Sequence, residues 1–168
     1  MLVLVLTNTP ALSFNEVDLR KLMAINDCIE CELSEVNLNS IDLSGANLTK
    51  AILIKAWFKD ANLENAQLYM ADLTDAFLEG ANLHKADLRG ARLSKADMQN
   101  ANLTQAKMRN ANLAYANLNG ANLTKANLRG TNLYGADLST AIMRHANFDG
   151  AYFCKTLTPW GEDNSGCE

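Results

Sequence analysis

The 168-residue sequence predicts an all-β solenoid, a chain wound into stacked four-sided coils. Leu, Phe or Met stands at every fifth position from Leu33 to Phe153 without insertion, giving 25 centres. Ala stands two residues before 21 of them; Cys31, Val36, Ile41 and Thr131 are the exceptions. Outward positions repeat at a spacing of 20: Asn62, Asn82, Asn102 and Asn122 form one column, Arg89, Arg109 and Arg129 another, and Trp57 falls beneath Phe77.

A period of five fits neither a helix (about 3.6 residues) nor a strand (about 2). Residues two apart point to one side of an extended segment, so the Ala and Leu of a repeat both face inward. Three residues then separate Leu from the next Ala, which breaks the alternation and forces a corner. A chain that always turns the same way makes a coil, and columns at a spacing of 20 give that coil four corners. Each buried Leu contributes on the order of 1.5–3 kcal/mol, and the small Ala lets opposite walls approach. The Asn or Asp before each centre is suited to bonding backbone or stacking in ladders. Gly80, Gly90, Gly120, Gly130 and Gly150 fall at corners, where unusual φ is needed. Glu35, Lys55, Asp75 and Lys95 form a column of alternating sign.

Repeats such as "GANLT", "KADLR" and "GADLS" resemble the A-[DN]-L-x-x signature of the pentapeptide-repeat family over about three quarters of the chain. The resemblance implies a right-handed quadrilateral β-helix of about 20 residues per coil. The repeats then make about six coils, a rod roughly 30 Å long at the usual strand spacing.

Four segments follow in order. Residues 1–13, "MLVLVLTNTPALS", carry a short apolar run and the small-x-small pattern Ala11-Leu12-Ser13 without a charged start. They read as a truncated signal peptide with Phe14 as the mature N-terminus, the alternative being a frayed apolar tail. Residues 14–30 read as a helical cap, with Asn15 as N-cap and Val17, Leu19, Leu22, Met23 and Ile25 as its apolar set. Residues 31–155 hold the repeats. Residues 156–168 leave the period and form a capping tail, with Pro159 and Gly161 marking a turn.

The cysteines fall at opposite ends of the rod, which excludes a four-cysteine zinc site within one chain. Each pair therefore acts locally. Cys154 with Cys167 closes a loop that pins the tail, contributing about 3 kcal/mol by loop entropy; such a bridge belongs to an oxidising compartment. Cys28 and Cys31 read as a structural bridge or as buried thiols, with a redox pair as the sharper alternative. Exported cyanobacterial-type members of the family are similar in having a Cys-x-x-Cys before the repeats and a Cys-bracketed tail after them.

No catalytic constellation emerges. His84 and His145 stand about three coils apart, no nucleophile elbow, phosphate loop or dinucleotide fingerprint is present, and the interior is packed with Leu and Ala. The expectation is therefore a non-enzyme without cofactor or metal. Residues 46–155 hold nine acids and thirteen bases, a balance of +4, whereas residues 1–45 hold seven acids and two bases. That balance argues against direct nucleic-acid binding. No apolar run reaches the roughly 18 residues of a membrane span.

Two surfaces are candidates for a protein partner. One is the stripe Arg89, Arg109 and Arg129, with Tyr69 one coil before it and Lys85, Lys107 and Lys125 nearby, suited to an acidic partner. The other is the apolar set Ile52, Ile54, Trp57 and Phe77, open to a partner or covered by the N-terminal helix. The expected function is an exported, non-catalytic scaffold in the periplasm or thylakoid lumen, a monomer capped at both ends, with a dimer through stacked ends as the alternative; it is cytoplasmic if the N-terminal segment is not a signal. Some family members resemble DNA and bind type II topoisomerases. The competing expectation is such a cytosolic mimic of DNA, for which this body has the wrong sign of charge.

Overall fold

The computed structural model describes residues 14–167. The leader expected at residues 1–13 lies outside them. Parallel bridges join each residue before a centre to the one 20 positions later, along four ladders that begin at Asp27, Glu32, Asn37 and Asp42. These ladders define four walls, numbered here in the order the chain meets them. Wall 1 runs from Asp27 to Asn147, wall 2 from Glu32 to Tyr152, wall 3 from Asn37 to Leu157, and wall 4 from Asp42 to Ile142. Walls 1 and 3 are therefore opposite.

One repeat shows why the pattern folds this way. The Leu83 N–H donates to Asn102 O at 2.8 Å, the Asn102 N–H to Ala81 O at 2.9 Å, and the corner Lys85 N–H to Thr104 O at 3.0 Å. The turn closes through the Ala86 N–H to Leu83 O at 3.0 Å. Every coil thus satisfies its backbone against the coils on either side, as buried peptide groups require. The inward Leu and Ala columns are almost wholly buried. Thr131, which replaces Ala, is buried too; its hydroxyl donates to Met108 O at 3.0 Å and so enters the core satisfied.

The residue before each centre acts twice. The side chain of Asn82 accepts the His84 N–H at 3.2 Å, an Asx turn that shapes the corner. It also joins a column in which Asn82 Nδ2 donates to Asn62 Oδ1 at 3.0 Å and Asn102 Nδ2 to Asn82 Oδ1 at 2.9 Å. Both roles expected of this position are present.

Helix α1, Glu16–Ile25, starts at Asn15, whose side chain accepts the Val17 N–H at 2.9 Å. Asn26 ends it in the left-handed conformation. Leu22 drops into the core, and the Asp18 carboxylate receives the Glu32 N–H at 2.9 Å, so α1 covers the first coil from its end. The period begins inside the segment expected to be cap, because Cys28 takes an inward centre and its N–H donates to Asn47 O at 2.7 Å. Cys28 and Cys31, both buried, form a disulfide across one corner of the core, with Cα atoms 5.3 Å apart.

The C-terminal tail departs from expectation. It keeps the period for one more repeat: Leu157 pairs with Asp137, while Thr156 and Thr158 take the inward positions. The Thr156 hydroxyl donates to Leu133 O at 2.8 Å, the same bond that Thr131, five repeats earlier, makes to Met108 O. Strands β1, Thr156–Thr158, and β2, Gly161–Asp163, then form an antiparallel hairpin, and Cys167 is disulfide-bonded to Cys154. This covers the last coil only in part. Met143, Phe148 and Phe153 remain half-exposed, so the C-terminal end is more open than the expected double cap.

Candidate functional site

The two candidate surfaces lie on opposite sides of the rod. Tyr69, Arg89, Arg109 and Arg129 occupy wall 1, each one residue past its centre; Trp57 and Phe77 sit on the wall 3 ladder. Ile52 and Ile54 share the adjoining wall 2, around the corner at Lys55. The two sets are therefore separate surfaces.

On the apolar side, the Trp57 and Phe77 rings lie 4.8 Å apart at a 40° tilt. Ile52, Trp57 and Phe77 are each at least 39% exposed, whereas Ile54 is half-buried. The helix does not cover this set, contrary to one of the two expectations, because its contacts are to the first coil. Trp57 cannot make the Asx turn of its neighbours; the Lys59 N–H is taken instead by Asn39 Oδ1 at 2.8 Å.

Wall 1 is built differently. Arg89 folds back on Asp87 with two bonds, Nε to Oδ1 at 2.7 Å and Nη2 to Oδ2 at 2.6 Å. Its guanidinium lies 5.6 Å from the Tyr69 ring centroid. Burial pushes the Asp87 carboxyl up, but hydrogen bonds from the Arg89 side chain and backbone and the nearby Lys107 charge outweigh it, leaving the pKa below the ordinary aspartate value. One coil on, Lys107 replaces Asp87, and two coils on, Asn127 does. Among the described residues Arg109 and Arg129 consequently have no carboxylate within ion-pair distance.

A cleft of about 370 Å³ opens on this wall, lined by Tyr69, Met70, Arg89, Gly90, Arg109 and Asn110. It exists because the corner column reads Met70, Gly90, Asn110, and the missing side chain leaves a gap. Sequence reasoning found the arginines and Tyr69 but missed Met70, Gly90 and Asn110. Reading the corner column at the same spacing of 20 reveals the gap. Also missed was an aromatic row, Tyr115, Tyr134 and Tyr152, with neighbouring centroids 5.2 and 6.4 Å apart. Of the helix's expected apolar set only Leu22 is buried and Leu19 half-buried; Val17, Met23 and Ile25 are exposed, as is the unforeseen Ile29.

Among the described residues no three metal-ligating side chains converge, and no helix is long and apolar enough to cross a membrane. A sequence-family profile described as "Pentapeptide repeats" matches in eight copies over residues 27–65, 66–105, 106–144 and 121–157. A solved pentapeptide repeat protein of the Arabidopsis thaliana thylakoid lumen is 37% identical, covering 58% of this chain and 68% of that one, with a TM-score of 0.57. QnrB1, a plasmid-mediated fluoroquinolone resistance protein, is 23% identical over 79% of each chain, with a TM-score of 0.41. HetL, a pentapeptide repeat protein involved in heterocyst differentiation regulation in Nostoc, is 24% identical, covering 85% of this chain and 96% of that one, with a TM-score of 0.27. No curated protein matches the chain significantly.

Proposed function

The chain belongs to the pentapeptide-repeat family, and from that premise we propose that it is an exported, non-catalytic scaffold whose basic wall 1 docks an acidic protein partner. The rod of this reading is a right-handed four-sided β-helix of about six coils, closed at its N-terminus by a helix. The observation that carries the docking role is the charge along wall 1 and its corner with wall 4, where Lys85, Arg89, Lys107, Arg109, Lys125 and Arg129 face outward. Among the described residues Asp87 is the one acid ion-paired to them, and Asp149 follows Arg129 at the end of the column. Like charges stacked about 4.8 Å apart repel, so stability alone does not select them.

Export is supported by two disulfides with no free cysteine among the described residues, a pattern that persists in oxidising compartments. The likeness to a thylakoid-lumen protein points the same way, to the periplasm or the lumen. The competing mimic of DNA needs an acidic wall, and wall 1 has the opposite sign.

The test is partner recovery on immobilised protein from an extract of the native compartment. Arg89→Glu with Arg109→Glu leaves the melting temperature near wild type and abolishes recovery of an acidic partner. Undiminished recovery by the double variant removes wall 1 from the function. Mass analysis of the native chain checks the compartment: free thiols at all four cysteines contradict export.

A further inference from the structure

We infer that the gap at Gly90 is a receptor for one carboxylate side chain of an acidic partner segment, with Arg109 as its anchor and Arg89 as a fixed wall. This rests on the scaffold reading above and specifies its contact.

The two cleft arginines are not equivalent. Both carboxylate oxygens of Asp87 already hold Arg89 through Nε and Nη2, and Tyr69 lies under its guanidinium, so its charge is countered and its orientation fixed, leaving only its remaining N–H groups to a ligand. Arg109 borders the same cleft without such a partner, because Lys107 stands where an aspartate would have held it. A planar guanidinium left unpaired beside a gap one side chain wide matches a carboxylate, which it binds with two parallel bonds. Asn110, at the rim, adds an amide.

The gap itself is maintained by Gly90, with φ +67°. The corner backbone is fully bonded, Met70 N–H to Arg89 O and Gly90 N–H to Arg109 O, both at 3.0 Å. No free strand edge is offered, so recognition falls to side chains. Lys107, Lys125 and Arg129 continue along the wall and meet further acids of the same segment. A membrane surface fits poorly, because exposed aromatics are not gathered on this wall: Tyr69 is held against Arg89, and Trp57 and Phe77 are on the opposite wall.

Fluorescence anisotropy of a fluorescein-labelled oligoglutamate peptide at low ionic strength tests this, with melting curves as a folding control. Arg109→Gln weakens binding about tenfold or more, since hydrogen bonds to a charged group are lost. Gly90→Asn fills the gap and weakens it similarly; Asn already occupies equivalent corners at Asn100 and Asn110 with φ 56° and 58°. Arg92→Gln, on wall 2 and paired with Asp72, changes binding by less than about twofold. Equal loss from Arg92→Gln and Arg109→Gln shows mere net-charge attraction and overturns the inference. So does binding of heparin or phosphatidylserine vesicles in place of the peptide. If Gly90→Asn does not fold, the contrast between the two arginines decides alone. A partner recovered equally by wild type and Arg109→Gln sinks the cleft and leaves the scaffold standing. No recovery and no peptide binding by wild type sinks both.

Discussion

Eighteen corner residues that are not glycine hold φ between 53° and 61°, in the left-handed region that costs an L-residue about 1 kcal/mol or more. They include Lys, Glu, Met and Tyr, and nothing about those residue types marks them for that conformation. The strain was therefore illegible in the sequence, where only the corner glycines stood out. It persists because this geometry turns the corner N–H onto a carbonyl of the next coil wherever a coil follows, as Lys50 does with Tyr69 O at 2.8 Å. Thr140 shows the limit. This β-branched residue stays out of positive φ, and its hydroxyl, rather than a backbone carbonyl, receives the Gly120 N–H at 2.8 Å. Two glycines separate conformational strain from crowding. Gly45 and Gly120 have φ +66° and +70°, but a Cβ at Gly45 meets nothing within 4 Å, whereas one at Gly120 runs into Asn100 Oδ1. Gly45→Ala should lower stability by about 1 kcal/mol and Gly120→Ala by roughly twice that. Urea midpoints measure both; equal losses would mean that Asn100 simply swings aside.

The two ends differ in how well their sequences announced them. Asn15 marked where α1 starts, because a helix cap is a local signal, but the apolar set overstated its buried face: Leu22 and part of Leu19 meet the core, while Val17, Met23 and Ile25 are exposed. The extra repeat at the tail was hidden: Thr156-Leu157-Thr158 contains neither the Ala nor the Asx of the signature. Its two hydroxyls replace methyl groups by bonding Leu133 O and Gly161 O, at 2.8 and 2.6 Å, a substitution visible only in three dimensions. Since coils contact only their neighbours, damage at one end should stay there. Replacing both Cys154 and Cys167 with Ser removes the loop constraint, about 3 kcal/mol at most. Amide exchange should then speed up at Gly166, now bonded to Phe153 O at 2.6 Å, and through the hairpin, while the coils beside α1 keep their protection. Faster exchange at the N-terminal coils as well would show instead that the tail holds the whole rod.

For the molecule as a whole, the repeat made the wall assignments legible, so the arginine stripe and the Trp57–Phe77 pair were found from spacing alone. Their placement on opposite walls follows from the same count; the cleft needs the corner column counted as well, where Gly90 between Met70 and Asn110 marks the missing side chain. The Asx device also sets how the rod responds to acid. Asp42, Asp87, Asp137 and Asp163 all have pKa values held below the ordinary 3.8. For Asp42 and Asp163 the main cause is a backbone N–H, from Ser44 and Ser165; for Asp87 and Asp137 burial raises the value but hydrogen bonds from Arg89, or from Ser139 and Asn119, outweigh it. A carboxylate depressed on folding contributes stability that is fully present above its unfolded value. That contribution is lost as the pH falls from 3.8 through the lower folded value, as the folded form takes up a proton. The urea midpoint of the rod should therefore change little through these groups above the aspartate range and drop below it. Asn serves the same Asx turn without titrating, as Asn82 does for His84. Asp137→Asn should therefore keep the Ser139 N–H bond and make the acid drop shallower. A variant whose midpoint falls with pH as steeply as wild type would show that Asp137 takes no part in the acid response.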